Sequence, residues 1–133
     1  MTPSGESDRR LRLRLLGDRL AVCRLAPDVA LPSWLAWRGD LVSVTRTGQE
    51  LSIVCPEGIV PAGITAERDW RAFEVEGPLD FALTGILAGL AAPLAEEGIS
   101  IFAISTYDTD YILVRAADLQ QAQAVLSRSC DLI

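Results

Sequence analysis

The sequence contains no histidine and no lysine, so all 12 of its basic residues are arginine. Without histidine it lacks the side chain that titrates nearest neutral pH, which removes the usual general base and the commonest nitrogen ligand for metals. Cysteine is sparse: Cys23, Cys55 and Cys130 are odd in number, far apart and form no CxxC pair. With no histidine to complete a zinc set, they read as reduced, partly buried thiols. Aromatic residues make up only 6% of the chain, so a core must be packed from aliphatics. Basic residues are outnumbered by 18 acidic ones, giving a net charge of −6. That balance excludes a nucleic-acid partner, whose phosphates are held by surplus arginine and lysine. No apolar run is long enough for a membrane: the longest, Phe81 to Ala95, falls short of the ~20 residues that cross a bilayer and contains Pro93. The amino-terminal MTPSGESDRR has no apolar segment behind it and predicts a disordered tail over residues 1–10, not a signal peptide. The expectation is a soluble cytoplasmic protein.

What is present is a chain of 133 residues, half of them hydrophobic, enough for one compact α+β domain or two very small ones sharing a core. From Leu11 the pattern LRLRLL alternates, with Arg12 and Arg14 on the wet face of a strand, and LAVCRL (Leu20 to Leu25) follows a Gly17-Asp18 turn. Residues 11–25 are therefore expected to form a hairpin. Ser33 is placed to cap a short helix through Trp34, Leu35 and Trp37, whose two indoles would cover the underside of a sheet. Leu41–Thr45 and Leu51–Cys55 predict a second hairpin turning at Gly48, and a Pro- and Gly-rich loop over 56–66 leads to a strand at Trp70–Glu76.

Gly77-Pro78 breaks that strand, and Asp80 stands where a helix N-cap belongs. The helix is expected to reach about Glu97, with Ile86, Leu87, Leu90, Ala91 and Leu94 as its apolar stripe and Gly98 as its left-handed stop. Ile99–Thr106, apolar on both faces, and Tyr111–Arg115 predict a third hairpin; Asp118 with Gln121 resembles a capping box opening a last helix. The second half is then βαββα, one strand short of a ferredoxin-like βαββαβ unit. Asp80, Asp108 and Asp110 are carboxylates that acid–base chemistry could use, but no spacing here forces one raised and one ordinary pKa. DTD likewise has too few companion oxygen ligands for a hard cation. No catalytic residue, metal or cofactor is expected.

The chain repeats itself. VSVTRTGQELSIV (42–54) and FAISTYDTDYILV (102–114), sixty positions apart, match at Val44/Ile104, Thr45/Ser105, Glu50/Asp110, Leu51/Tyr111, Ile53/Leu113 and Val54/Val114. With a helix before each hairpin, this suggests two copies of one unit. PLDFALTGIL, GISIF and STYDTDYILV together resemble the tandem ACT-domain family, which includes small bacterial proteins of this size and the ACT repeats of the CASTOR arginine sensors.

The resemblance implies ferredoxin-like tandem ACT units, with antiparallel sheets and helices packed on one face. The expected units are residues 11–66 and 67–133. It implies a noncatalytic, regulatory, allosteric protein whose partner is a small molecule, an amino acid, bound where two units meet in a homodimer. Carried over by position, the site comprises Asp80, Phe81, Leu83, Gly85 and Ile86 from the loop and helix start, Ser100 and Ile101 from the strand start, and Thr106, Tyr107, Thr109 and Asp110 from the acidic hairpin. Asp80 departs from the family pattern, which has Gly there. The alternative is a ligandless structural or interaction subunit, for instance a partner of an amino-acid kinase or other metabolic enzyme, in which Asp80 and Asp110 are engaged by their own backbone.

Overall fold

The computed structural model describes residues 10–79 and 85–133. Eight strands form one sheet: β1 (Leu11–Leu15), β2 (Leu20–Leu25), β3 (Ser43–Arg46), β4 (Leu51–Pro56), β5 (Ala66–Val75), β6 (Ile101–Ser105), β7 (Asp110–Arg115) and β8 (Cys130–Leu132). Two helices, α1 (Ile86–Glu96) and α2 (Leu119–Leu126), belong to the second half. The fold is α+β and ferredoxin-like, antiparallel except where β8 runs parallel to β1.

The long strand β5, 10 residues, organises the sheet. On one edge it pairs first with β2 (Leu20↔Trp70, Cys23↔Ala66) and then with β1 (Leu13↔Val75, Leu15↔Phe73). On the other edge it pairs with β7 (Trp70↔Arg115 through Glu74↔Tyr111). Residues 11–25 are thus not a hairpin: β1 and β2 run in the same direction along β5, joined by a bend at Gly17-Asp18 whose amides are held by the Asp40 carboxylate at 3.0 and 3.3 Å. The alternation LRLRLL was right for a strand; its partner lies sixty residues downstream, where no local turn signal can announce it. β8 supplies the strand that βαββα lacked, but it docks on β1 and not on β5.

Side-chain alternation divides the apolar residues between the two faces of this sheet. Under α1 and α2, Leu13, Phe73, Val75, Ile112, Val114, Leu90, Leu94, Val125 and Leu126 form one core. On the corresponding face of the first half lie Ala21, Cys23, Leu51, Ile53 and Cys55, covered by Leu35, Val60 and the half-buried Trp34. No helix covers this part: the chain over 31–40 is turns, Leu35 N donating to Pro32 O, and Trp37 is 64% exposed. Pro32 and Gly39 leave too few residues to nucleate a helix. The opposite face carries a third core of Leu20, Val54, Trp70, Ala72 and Leu113, packed with Val22, Phe102, Ile104 and Tyr111. The strand β6, expected to be covered on both faces, is not: it lies at an edge with β7 as its single partner, Phe102 and Ile104 lean on the third core and Ile101 on the first, while Ala103 and Ser105 are exposed.

Both helices follow their stripes, and α2 starts without the cap read for it. α1 begins at Ile86 after Gly85 in the left-handed region (φ 77°) and stops at Gly98 (φ 74°), where Ile99 N returns to Leu94 O. The expected cap, Asp80, lies outside the described residues. Asp118 occupies the N-cap position of α2, yet its side chain makes no capping bond; a preceding 3₁₀ turn, Ala116–Asp118, carries the backbone into the helix instead.

Candidate functional site

The repeat is real but one residue out of register. In the β3–β4 turn Thr47 N donates to Glu50 O, and Thr47 Oγ1 accepts from the amides of Gln49 and Glu50. In the β6–β7 turn Thr106 N donates to Thr109 O, and Thr106 Oγ1 accepts from the amide of Thr109. Thr47 therefore corresponds to Thr106, and Ile53, Val54 and Cys55 to Ile112, Leu113 and Val114. The pairs read at sixty positions overshoot by one, because apolar residues on both faces leave the period-two signal unable to tell one register from the next.

The β6–β7 turn is fastened to the end of β5. The Thr109 hydroxyl, buried, donates to Val75 O at 2.6 Å, and Leu79 N donates to Asp108 O at 2.7 Å. Gly77 allows this approach: a Cβ there would sit 3.0 Å from Asp108 O. The segment leading to α1, through the cis Gly77–Pro78 bond, is thereby set against the turn. Between them opens a pocket of about 320 Å³ lined by Thr106, Asp108, Thr109, Glu74, Tyr111 and Arg14, with Glu76, Gly77 and Pro78 at its margin.

Of the residues expected in the site, Thr106 and Thr109 line this pocket. Tyr107 caps the turn and is 80% exposed. Asp110 pairs with Ser105 across the ladder and accepts the Ser105 hydroxyl at 2.6 Å. Gly85 and Ile86 form the start of α1, where no side chain caps the first turn. Asp80, Phe81 and Leu83 lie outside the described residues. Ser100 and Ile101 stand at the other end of β6, which at about 3.3 Å per residue lies some 13 Å from Ser105. They also adjoin the carboxyl end of α1, about 16 Å from Gly85. Within one copy, therefore, the strand start is not brought to the turn.

The charged part of the pocket escaped the sequence reading. Glu74 accepts the Tyr111 hydroxyl at 2.9 Å and Arg14 at 3.3 Å; Glu76 pairs with Arg12 at 2.9 Å and with Arg14 at 3.7 Å. Burial first, then the hydrogen bond and charge of Glu74, push the Tyr111 phenol up to about 12. The available signal was complementary: Arg12 and Arg14 alternate on one strand as Glu74 and Glu76 do on another. The cysteines remain free and buried. Cys55 donates to Cys23 beneath the first half, which raises Cys55 and lowers Cys23. Among the described residues no group of acidic and cysteine side chains is placed to hold a metal, and no helix is long and apolar enough to cross a membrane.

Comparison with known proteins agrees with this architecture. The profile of the ACT domain matches residues 65–128, and a second profile, for an N-terminal domain, matches 18–63. The solved structure of protein Atu0741 from Agobacterium tumefaciens is 37% identical, with a TM-score of 0.87 over 94% of this chain and 93% of that one. A crystal structure of aspartokinase α and β subunits, 17% identical, shares the fold with a TM-score of 0.64 over 91% of this chain and 98% of that one. Among curated proteins, the bovine cytosolic arginine sensor for mTORC1 subunit 1 is 39% identical over 106 residues, 71% of this chain. The chain spans only about a third (32%) of that relative's length. Residues 65–128, which hold the β6–β7 hairpin and α1, therefore form an ACT domain.

Proposed function

We propose that this protein is a noncatalytic regulatory module that binds an amino acid and acts as a homodimer. The observation that carries the reading is the start of α1, which no side chain caps among the described residues, together with Leu79 bonded to the β6–β7 turn. The first-turn amides of α1, which no described side chain caps, suit a ligand carboxylate, and the carboxylates of Asp108 and Asp110 suit an ammonium or guanidinium group. Similarity to an arginine sensor and to aspartokinase subunits supports the ligand class. The contributing residues would be Asp80, Phe81, Leu83, Gly85, Ile86, Thr106, Tyr107, Thr109 and Asp110 of one copy. Ser100 and Ile101 lie too far along β6 to complete that set, so they would come from a second copy. Strands β3, β6 and β8 each have a single paired edge, leaving backbone free for such an association.

The test is a thermal-shift screen against the common amino acids. A ligand at 100 times its Kd adds about 2.7 kcal/mol of stability. A selective upward shift that Asp110→Ala abolishes is the expected result. A flat response across the panel would overturn the reading in favour of the ligandless interaction subunit; the backbone engagement of Asp110 expected for it is replaced here by the Ser105 hydroxyl, which donates to that carboxylate.

A further inference from the structure

The register of the two halves makes their side chains comparable row by row. Arg24 on β2 pairs with Ser52 on β4, and its amide donates to Thr65 O, the residue before β5. In the second half, Glu74 on β5 occupies the corresponding position, pairing with Tyr111 on β7 and Arg14 on β1. The second row is self-sufficient, since the central carboxylate is neutralised by Arg14 and bonded by the Tyr111 phenol. The first row reverses the central charge and shortens both neighbours, putting Thr65 for Arg14 and Ser52 for Tyr111.

The consequence is a hole. A cavity of about 520 Å³ opens over Arg24, Ser52 and Thr65, floored by Val22 and Ala66 and walled by Phe102 from the second half. The Arg24 guanidinium is held at this place by donating to Gln49 O at 3.0 Å. Among the described residues it is in no ion pair, whereas Glu67, also lining the cavity, is occupied by Arg115 at 3.4 Å. Glu50 stands at the hairpin turn on the same rim.

We infer that this cavity is a second binding site, for a small organic carboxylate with an apolar body. The carboxylate does for Arg24 what Glu74 does for Arg14. The body fills the volume that the Tyr111 ring takes in the other half, against Val22 and Phe102. The hydroxyls of Ser52, Thr45 and Thr47 complete the polar lining. Because Phe102 belongs to the second half, an occupant touches both halves at once.

The inference is independent of the amino-acid site proposed above, and its test separates the two. Titration of 15N-labelled protein with 3-phenylpropionate, followed by amide NMR, should move the resonances of Val22–Arg24, Ser52 and Thr65–Ala66. The neutral amide, 3-phenylpropionamide, should bind at least about tenfold more weakly, as should 3-phenylpropionate to Arg24→Gln, since both remove a charge-assisted contact. Ser52→Tyr should fill the cavity and abolish binding while leaving the rest of the spectrum folded. Asp110→Ala should bind the probe as the parent does. No saturable shift up to the probe's solubility limit, shifts centred elsewhere, or equal binding of acid and amide would overturn the inference, as would binding unaffected by Arg24→Gln.

Discussion

Replacing Tyr111 by phenylalanine isolates one hydrogen bond, because the ring, its place beside Leu113 and Trp70, and its strand all persist. The lost contact is the phenol donating to Glu74 at 2.9 Å. A bond to a charged acceptor contributes ~1.5–3 kcal/mol when fully buried. Here Glu74 keeps Arg14 and stays within reach of water, so the net loss is about 1 kcal/mol. With an unfolding entropy of ~2.1 cal/mol/K per residue, 133 residues convert this to a fall in Tm of about 3.5 °C. The pH dependence has a definite sign. The phenol is raised from 10 in the unfolded chain to about 12 in the folded one, so the folded state binds its proton more tightly. The stabilisation is complete below pH 10 and is lost as pH rises through about 12. Thermal unfolding followed by circular dichroism from neutral pH upward, with phenolate absorbance in parallel, measures both. Tyr111→Phe should start lower, lose less stability above pH 10, and lack the higher phenolate transition. A variant as stable as the parent at pH 7, or one that retains the transition near 12, would refute the reasoning.

Three further outcomes follow from the packing. Leu113→Ala, at the fully buried centre of the third core, should cost about 3 kcal/mol, measured by urea unfolding at unchanged m-value. Gly77→Ala forces a methyl to within 3.2 Å of Thr109 Cβ and 3.0 Å of Asp108 O, and should destabilise by about 1–3 kcal/mol while accelerating amide exchange at Leu79 and Thr109. Arg68→Met strips the guanidinium that bonds the carbonyls of Glu57, Val60 and Pro61 at 3.2–3.3 Å; about 1–2 kcal/mol should be lost, with hydrogen exchange rising first over 57–61.

Local chemistry told most of the fold, and non-local pairing told the rest. Gly48 and Gly98, the Leu90–Leu94 stripe and the β-rich segments of β4 and β7 act within a few residues, and each emerged where its sequence put it. The run 11–25 failed as a hairpin because Gly17-Asp18, an ordinary turn signal, is here a bend that carries the chain on along the same edge of β5. Trp34 and Leu35 carry the spacing of a short helix, but they are held over a core by contacts with Cys23 and Ile53, which no window of neighbouring residues contains. For the site, the residues around the β6–β7 turn were legible because they are contiguous. Glu74, Arg14 and Tyr111 were not, since they come from three strands and meet only when the register is known.

The continuity of β5 limits how either half could report on its occupant. A hinge needs a few backbone positions free to swing. At the boundary between the halves one strand, irregular only where Asp69 takes φ 64°, is laddered to β2 and β1 on one side and to β7 on the other. The molecule is closer to a plank than to a pair of jaws. A bound ligand cannot swing one half against the other without tearing backbone pairs, so what it can change is the posture of the outer hairpins, β3–β4 and β6–β7, which are tethered only along their inner edges. Those rims, not the middle, are where an altered state would become visible to another protein.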